Sequence, residues 1–305
     1  MTKPCCAPAR DGNPITSAKV TLRGTYPDPV ADIPGGRAFV GTDKPWIKPD
    51  GEGPQRRVTV KPFRLGATPV TVAAFRAFVD ATGYVTEAET YGWSFVFHSF
   101  IPRAVGPTEG LQGAEWWRAV EGATWAMPFG IHGEPARDDD PVVHISWNDA
   151  AAYCAYVAGR LPTEAEWEHA ACGGQGPVIY PWGDTDPTDD GPFNCNIWQG
   201  QFPVKDSGAD GFKGISPAAS FPANGYGLHG MAGNVWDWTT DTFKIRSLSK
   251  AAKAQAAGMK GFKTIKGGSY LCHASYCTRY RIAARTGNSP DSSTGHTGFR
   301  VAFDI

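Results

Sequence analysis

Residues 146–171 read SWNDAAAYCAYVAGRLPTEAEWEHAA, and two helix starts stand within them. Ser146 is an N-cap residue with Asp149 at the third helical position, the capping-box spacing that satisfies two orphan backbone donors. The helix it opens is expected from about Trp147 to Ala158. Arg160-Leu161-Pro162 then breaks the chain. Thr163-Glu164-Ala165-Glu166 is a second capping box, opening a helix to about Cys172, where Gly173-Gly174 ends it. A further helix is expected over Thr71–Thr82. It starts on Thr71, carries Phe75, Phe78 and Val79 on one stripe, and stops at Gly83.

Outward from these helices the chain reads as short strands and turns. Gly35–Gly41 and Gln55–Leu65 alternate like strands. Pro141–Ile145 and residues 264–271, 279–286 and 298–303 read as further short strands. Residues 84–140, rich in Trp, Gly and Pro without a steady period, read as a long loop region with short strands and turns. Ser249–Ala257 is a possible helix. Residues 1–25 read as a flexible N-terminal arm ahead of one domain over 26–305, with no linker-like shift inside it. The fold class expected is α+β: a single compact domain with much irregular structure.

Composition agrees with that reading and excludes several functions. The 305 residues include 37 Gly and 25 Pro, but also 11 Trp and 12% aromatics, so turns are many and large rings must hold them. A formal net charge of −1 gives no electrostatic footprint for nucleic acid or an anionic membrane. No apolar run reaches the roughly 18 residues of a membrane span. The first residues lack the apolar stretch of a secretory signal, and seven cysteines is an odd and modest count. A cytoplasmic, reducing setting is expected, and no heptads or interface stripe point beyond a monomer.

The candidate chemistry lies in residues 267–277, GGSYLCHASYC. Cys272 and Cys277 have C-x4-C spacing, unlike the C-x2-C of zinc knuckles or thioredoxin-like sites. On one regular strand their side chains would point to opposite faces, so the sulfurs converge only if the chain turns. Two separate packed thiols, a disulfide, and a metal or redox dithiol all stay open on spacing alone. If two thiolates hold an ion with no other close ligand, a soft one such as Cu(I) suits best. His273 is expected to diverge from Cys272. Cys154 reads as core. The seven histidines show no H-x-H or H-x3-H pair, which argues against a multi-histidine iron or zinc centre. No G-x-S-x-G, phosphate loop or dinucleotide fingerprint stands in the chain. Asp206–Gly211 begins like a calcium loop but fails it at Gly208 and Pro217. Residues 233–238, GNVWDW, offer one carboxylate among carbonyls. Arg279, Arg281 and Arg285 would share one face of an extended segment, either as a solvated surface or holding a peptide's backbone or acidic groups.

Taken together, these segments resemble the formylglycine-generating enzyme family, or sulfatase-modifying factors, of the prokaryotic type. The resemblance is carried by Gly35–Gly41, Pro69–Glu89, Ser146–Ala171, Tyr180–Gly183, Asn196–Gly200, Asn224–Trp238 and Lys266–Arg300. RLPTEAEWE and GNVWDW speak for the fold, and the cysteine segment for the subfamily. The resemblance implies a C-type-lectin-like α+β fold and oxidation by dioxygen of a cysteine to Cα-formylglycine. The substrate would be a Cys-x-Pro-x-Arg motif in an unfolded or nascent sulfatase. It implies one Cu(I) on Cys272 and Cys277, with the substrate sulfur as third ligand, and places Ser269 and Tyr276 in the pocket as catalytic residues. Structural calcium is implied at Asn196, Ile197, Asp210 and Phe212, and at a second site of Gly230, Gly233, Val235 and Asp237. Gly230 departs from the family there, where some relatives carry an Asn. Val301 stands where eukaryotic relatives pair a cysteine with the position of Cys154, so that disulfide is not expected. Two other classes remain beside this reading. One is a non-haem iron sulfoxide synthase on the same fold, which needs a histidine triad. The other is a non-catalytic lectin-like binding module indifferent to both cysteines.

Overall fold

Residues 8–10, 21–245, 254 and 257–305 are described in a computed structural model of the chain. In chain order the elements begin β1 (Val30–Ile33), β2 (Gly36–Val40), β3 (Arg56–Val60), β4 (Phe63–Gly66), α1 (Val72–Thr82) and α2 (Glu87–Tyr91). They continue β5 (Trp93–Phe97), β6 (Glu109–Leu111), β7 (Ala114–Glu121), α3 (Trp147–Tyr156), α4 (Glu164–Ala171), β8 (Gly200–Gln201) and β9 (Lys205–Asp206). The last are β10 (Trp236–Thr242), β11 (Lys263–Lys266), β12 (Thr286–Asn288), β13 (Thr297–Gly298) and β14 (Ala302–Asp304). The result is one α+β domain of short elements and long turns.

Capping fixes the helix starts where the sequence placed them. The Thr71 hydroxyl accepts from Ala74 N at 3.2 Å. Ser146 and Asp149 close a reciprocal box, as do Thr163 and Glu166. Glycine in the left-handed region ends α1 at Gly83 (φ 65°).

Strand order in the sheet that carries the site is β12-β11-β10-β13. β10 and β11 run antiparallel with Trp238 opposite Ile265, whereas β10 and β13 run parallel. A second sheet, β1-β4-β14, brings the chain's end back beside its first strands. The main core fills the space between the helices and β10. Phe75 stacks on Tyr153 at 5.7 Å and meets Phe78 edge-on at 5.4 Å. Cys154 and Val301 are both buried in this core, as are Cys272, Cys277 and Tyr280.

Several expectations are corrected. Within residues 84–140 the expected short strands assemble into a sheet, β5-β7-β6, and the stretch also holds an unexpected helix, α2, with a third capping box of Thr86 and Glu89. β5 is buried from Ser94 to Phe97, on both faces, so it shows no alternation to read. The strand expected over 279–286 begins only at Thr286, because the preceding arginines turn toward separate carboxylates. The strand expected over 264–271 stops at Lys266, where Gly267 (φ 91°) and Gly268 (φ 74°) turn the chain. A Cβ on Gly268 would stand 2.9 Å from the Tyr280 backbone, so only glycine permits that approach. Pro141–Ile145 makes only a single bridge, to Thr71, and the left-handed His144 (φ 59°) interrupts it. The strand expected over 298–303 resolves into β13 and β14. The helix expected at Ser249–Ala257 falls mostly outside the described residues. Of the expected arm, residues 1–7 and 11–20 also lie outside them, but Pro8–Arg10 is anchored rather than loose. Arg10 is buried, with its guanidinium over the rings of Tyr91 and Trp93.

Candidate active site

The site follows directly from the Gly267-Gly268 turn. Cys272 N donates to Ser269 O at 2.9 Å, closing one turn. Tyr276 N and Cys277 N both donate to His273 O, at 3.0 and 2.7 Å, closing the next. These two turns bring the sulfurs of Cys272 and Cys277 to 3.1 Å of each other. Spacing alone left their convergence open, and the backbone turn supplies it. The separation is about 1 Å more than a disulfide bond. Both residues are at most 1% exposed.

Around the sulfur pair the surroundings differ by side. Tyr276 forms part of an aromatic wall: its ring stacks on Phe202 at 4.4 Å and meets Trp116 edge-on at 5.3 Å. All three rings are half-buried, so the wall borders solvent. Ser269 lies buried under the loop, its hydroxyl accepting from Leu271 N at 3.3 Å. His273 turns away from the pair, to Ser275 at 2.7 Å and Asp189 at 3.3 Å. Trp116 and Phe202 escaped the sequence reading. The Trp116-Trp117 doublet in the aromatic-rich 84–140 stretch was the only signal for either.

The three arginines are neither extended nor solvated. Arg279 pairs with Asp50, Arg281 with Glu52 and Arg285 with Glu164, all buried. They hold acidic groups of this chain, not of another. Burial pushes the Asp50 carboxyl up, and the Arg279 charge opposes that. One further nitrogen of Arg279, Nη1, lies 3.7 Å from the Cys277 sulfur. A cation there favours a thiolate, the form that binds metal.

The two expected calcium sets behave differently. In the first, Ile197 O and Asp210 Oδ2 converge on one point, where the Gln199 amide nitrogen now donates to both. Asp210 Oδ1 accepts from Phe212 N at 3.0 Å, and the Asn196 amide donates to Gly214 O at 2.8 Å. Two converging oxygens, one of them from a half-buried carboxylate raised by desolvation, fit part of a hard-cation shell. The second set is held differently. Asp237 Oδ2 accepts from Arg300 Nε at 2.9 Å and from Trp167 Nε1 at 3.0 Å. The same guanidinium donates to His229 O, beside Gly230. Arg300 therefore serves Oδ2, whereas Oδ1 is buried with no hydrogen-bond partner among the described residues; Gly233 bridges to Asn196. Among the described residues, no group of three or more His, Cys, Asp or Glu gathers as a metal cluster.

Comparison with known proteins places this geometry in a family. The chain belongs to the sulfatase-modifying factor enzyme 1-like family, whose profile matches residues 17–305. A formylglycine-generating enzyme of Thermomonospora curvata is 49% identical over 89% of this chain and 92% of its own. A Mus musculus relative described as an inactive Cα-formylglycine-generating enzyme 2 is 45% identical, over 92% of this chain and 87% of its own. Membership alone therefore does not decide activity; the site must. PvdO from Pseudomonas aeruginosa superposes with a TM-score of 0.63 at 22% identity, covering 96% of this chain and all of that one. That likeness concerns the fold. No helix among the described residues is long and apolar enough to cross a membrane.

Proposed function

We propose that this chain oxidises a cysteine within a Cys-x-Pro-x-Arg motif of a sulfatase polypeptide to Cα-formylglycine, with Cu(I) as cofactor and dioxygen as oxidant. The observation that carries the reading is the buried pair of sulfurs, 3.1 Å apart, on a half-exposed aromatic wall. The formylglycine-generating relatives support the sulfatase substrate.

The residues suit a soft monovalent ion. Two facing sulfurs, with no third His, Cys, Asp or Glu gathered beside them among the described residues, would select a thiophilic metal and leave coordination for substrate. Bound there, Cu(I) would supply one-electron chemistry toward dioxygen. The chain's own residues do the rest. Cys272 and Cys277 hold the ion, and Arg279 steadies the charge on Cys277. Trp116, Phe202 and Tyr276 offer flat apolar faces on which an extended, proline-containing peptide can lie. Ser269 and Tyr276 lie beside the pair in sequence as the remaining candidates for the chemistry, Ser269 buried beneath the loop and Tyr276 through its ring on the wall. In the net change the methylene thiol of the substrate cysteine loses two electrons and two protons to dioxygen, which is reduced to the peroxide level, giving a thioaldehyde. Water then hydrolyses this to the aldehyde and hydrogen sulfide.

Calcium at Asn196, Ile197, Asp210 and Phe212 belongs to the same reading as a structural ion; at Gly230, Gly233, Val235 and Asp237 a second ion would compete with the Arg300 charge. The protein acts as a monomer in a cytoplasmic, reducing setting, consistent with Cys154, Cys172 and Cys195 buried outside any disulfide. The iron sulfoxide synthase and lectin-like alternatives gain no specific observation. Cys272→Ser and Cys277→Ser are expected to abolish aldehyde formation on a Cys-x-Pro-x-Arg peptide. Copper-dependent turnover near wild type in both variants would rule the mechanism out.

A further inference from the structure

We propose that Asp50 is a positioning residue for the dithiol, acting through Arg279. Asp50 and Arg279 lie 229 residues apart in sequence, and nothing in the sequence pairs them. Asp50 ends a single 3-10 turn, Lys48–Asp50, in the loop between β2 and β3, and the left-handed Gly51 (φ 70°) closes that turn. Its buried carboxylate takes the Arg279 fork on two nitrogens: Nε on Oδ2, and Nη2 on Oδ1 at 3.1 Å. The guanidinium is planar, so holding one edge fixes the direction of the remaining nitrogen. That nitrogen, Nη1, stands 3.7 Å from the Cys277 sulfur.

The carboxylate thus determines where the arginine's last N–H points. It also balances the arginine's charge, so the sulfur is served by an oriented N–H more than by a free cation. Partners of ligands that act this way typically change metal affinity by about 10–100-fold when removed. The same loop contains an internal control. Glu52 pairs with Arg281, equally buried, but Arg281 turns to Thr278 O and the Trp46 ring. Loop anchoring is common to both pairs; the sulfur contact is seen with Arg279.

This inference rests on the reading that Cys272 and Cys277 hold a soft ion, and its test separates the two. Asp50→Asn, Arg279→Lys, the double variant and Glu52→Gln are compared with wild type by Cu(I) competition against a chromophoric chelator. Metal-free protein is also alkylated with iodoacetamide at one pH, with the rate at Cys277 read by mass, and melting temperatures are recorded. Asp50→Asn and Arg279→Lys should each weaken Cu(I) binding about tenfold. The double variant should be no worse than the weaker single, because both act on one contact. Glu52→Gln should lower the melting temperature yet keep the affinity within about twofold. Asp50→Glu, which retains the charge but displaces the fork by a methylene, should recover part of the affinity and serves in place of Asp50→Asn if that variant does not fold. Wild-type affinity in Asp50→Asn, or an equal loss in Glu52→Gln, overturns the proposal. If wild type itself takes up no Cu(I), the copper reading fails. The alkylation rates then decide: a several-fold change at Cys277 in Asp50→Asn supports the positioning role, and an unchanged rate overturns it.

Discussion

Lowering the pH from 7 to 5 should cost the fold about 2 kcal/mol through His144 alone. His144 is fully buried; its Nε2 meets Pro128 O at 2.9 Å and its Nδ1 meets the Ser94 hydroxyl at 2.8 Å. A carbonyl only accepts, so Nε2 carries the ring proton; the single Ser94 hydrogen is contested between Nδ1 and Ser293 O, 2.9 Å away, and it is desolvation that keeps the ring neutral. Behind Ser94 stands Ser293, which Arg10 holds at 3.1 Å. Burial is the main cause, with the Arg10 charge assisting, that pushes His144 down to about 3. In the unfolded chain the ring titrates near 6.5. Between those values the unfolded state binds the proton and the folded state does not, so stability falls as pH falls. At pH 5 the unfolded ring is about 97% protonated, which amounts to roughly 2 kcal/mol. Glu87 and Asp149, pushed up by burial to about 7 and about 6, act with the opposite sign and favour the fold as pH falls. The wild-type slope alone is therefore not diagnostic, but a difference against a variant is. Asn tolerates the left-handed backbone at this position and does not titrate. His144→Asn should lose stability at pH 7, and its deficit relative to wild type should shrink by about 2 kcal/mol at pH 5. Urea unfolding at both pH values measures this. A deficit that stays constant or widens refutes the neutral, desolvated histidine.

Three further outcomes are expected. Lys266→Met leaves Glu168 buried without the ammonium now 2.7 Å away. It should cost about 3–5 kcal/mol, or roughly 5–8 °C in Tm for a chain of this length; adding Glu168→Leu should restore most of it, and a double variant as unstable as the single would contradict the pairing. Phe202→Ala removes a face of the groove without touching the sulfurs. The peptide KM should rise about tenfold with kcat within about twofold, and steady-state kinetics showing the loss in kcat instead would place Phe202 in the chemistry. If the Asp210 oxygens hold calcium, a calcium chelator should lower Tm in wild type and in Asp237→Asn but not in Asp210→Asn. Equal chelator shifts in the two variants would remove calcium from the Asp210 set.

What the sequence disclosed divides along physical lines. Helix starts were legible because a cap is local: Thr71, Ser146 and Thr163 each meet a donor three residues on. Cys272 and Cys277 were legible as candidates, but not their convergence, which depends on two tight turns and on Gly268 passing Tyr280. β5 was hidden because burial on both faces erases alternation. The arginine pairs were illegible for a different reason. Arg279 and Asp50 are 229 residues apart, and sequence gives no measure of such a contact. Phe202 lay outside the legible part as well, since an aromatic residue just after the two-residue strand β8 carries no sign of the ring it will stack on.

The central claim is that two buried sulfurs at 3.1 Å make a copper site for oxidising a substrate cysteine. The most direct test takes enzyme stripped of metal, with and without one equivalent of Cu(I), in air, on a synthetic Cys-x-Pro-x-Arg peptide, and detects the aldehyde by mass. Stripped enzyme should be silent, and Cu(I) should restore aldehyde formation. No aldehyde from folded enzyme verified to be copper-loaded would contradict the account and leave the dithiol needing another explanation.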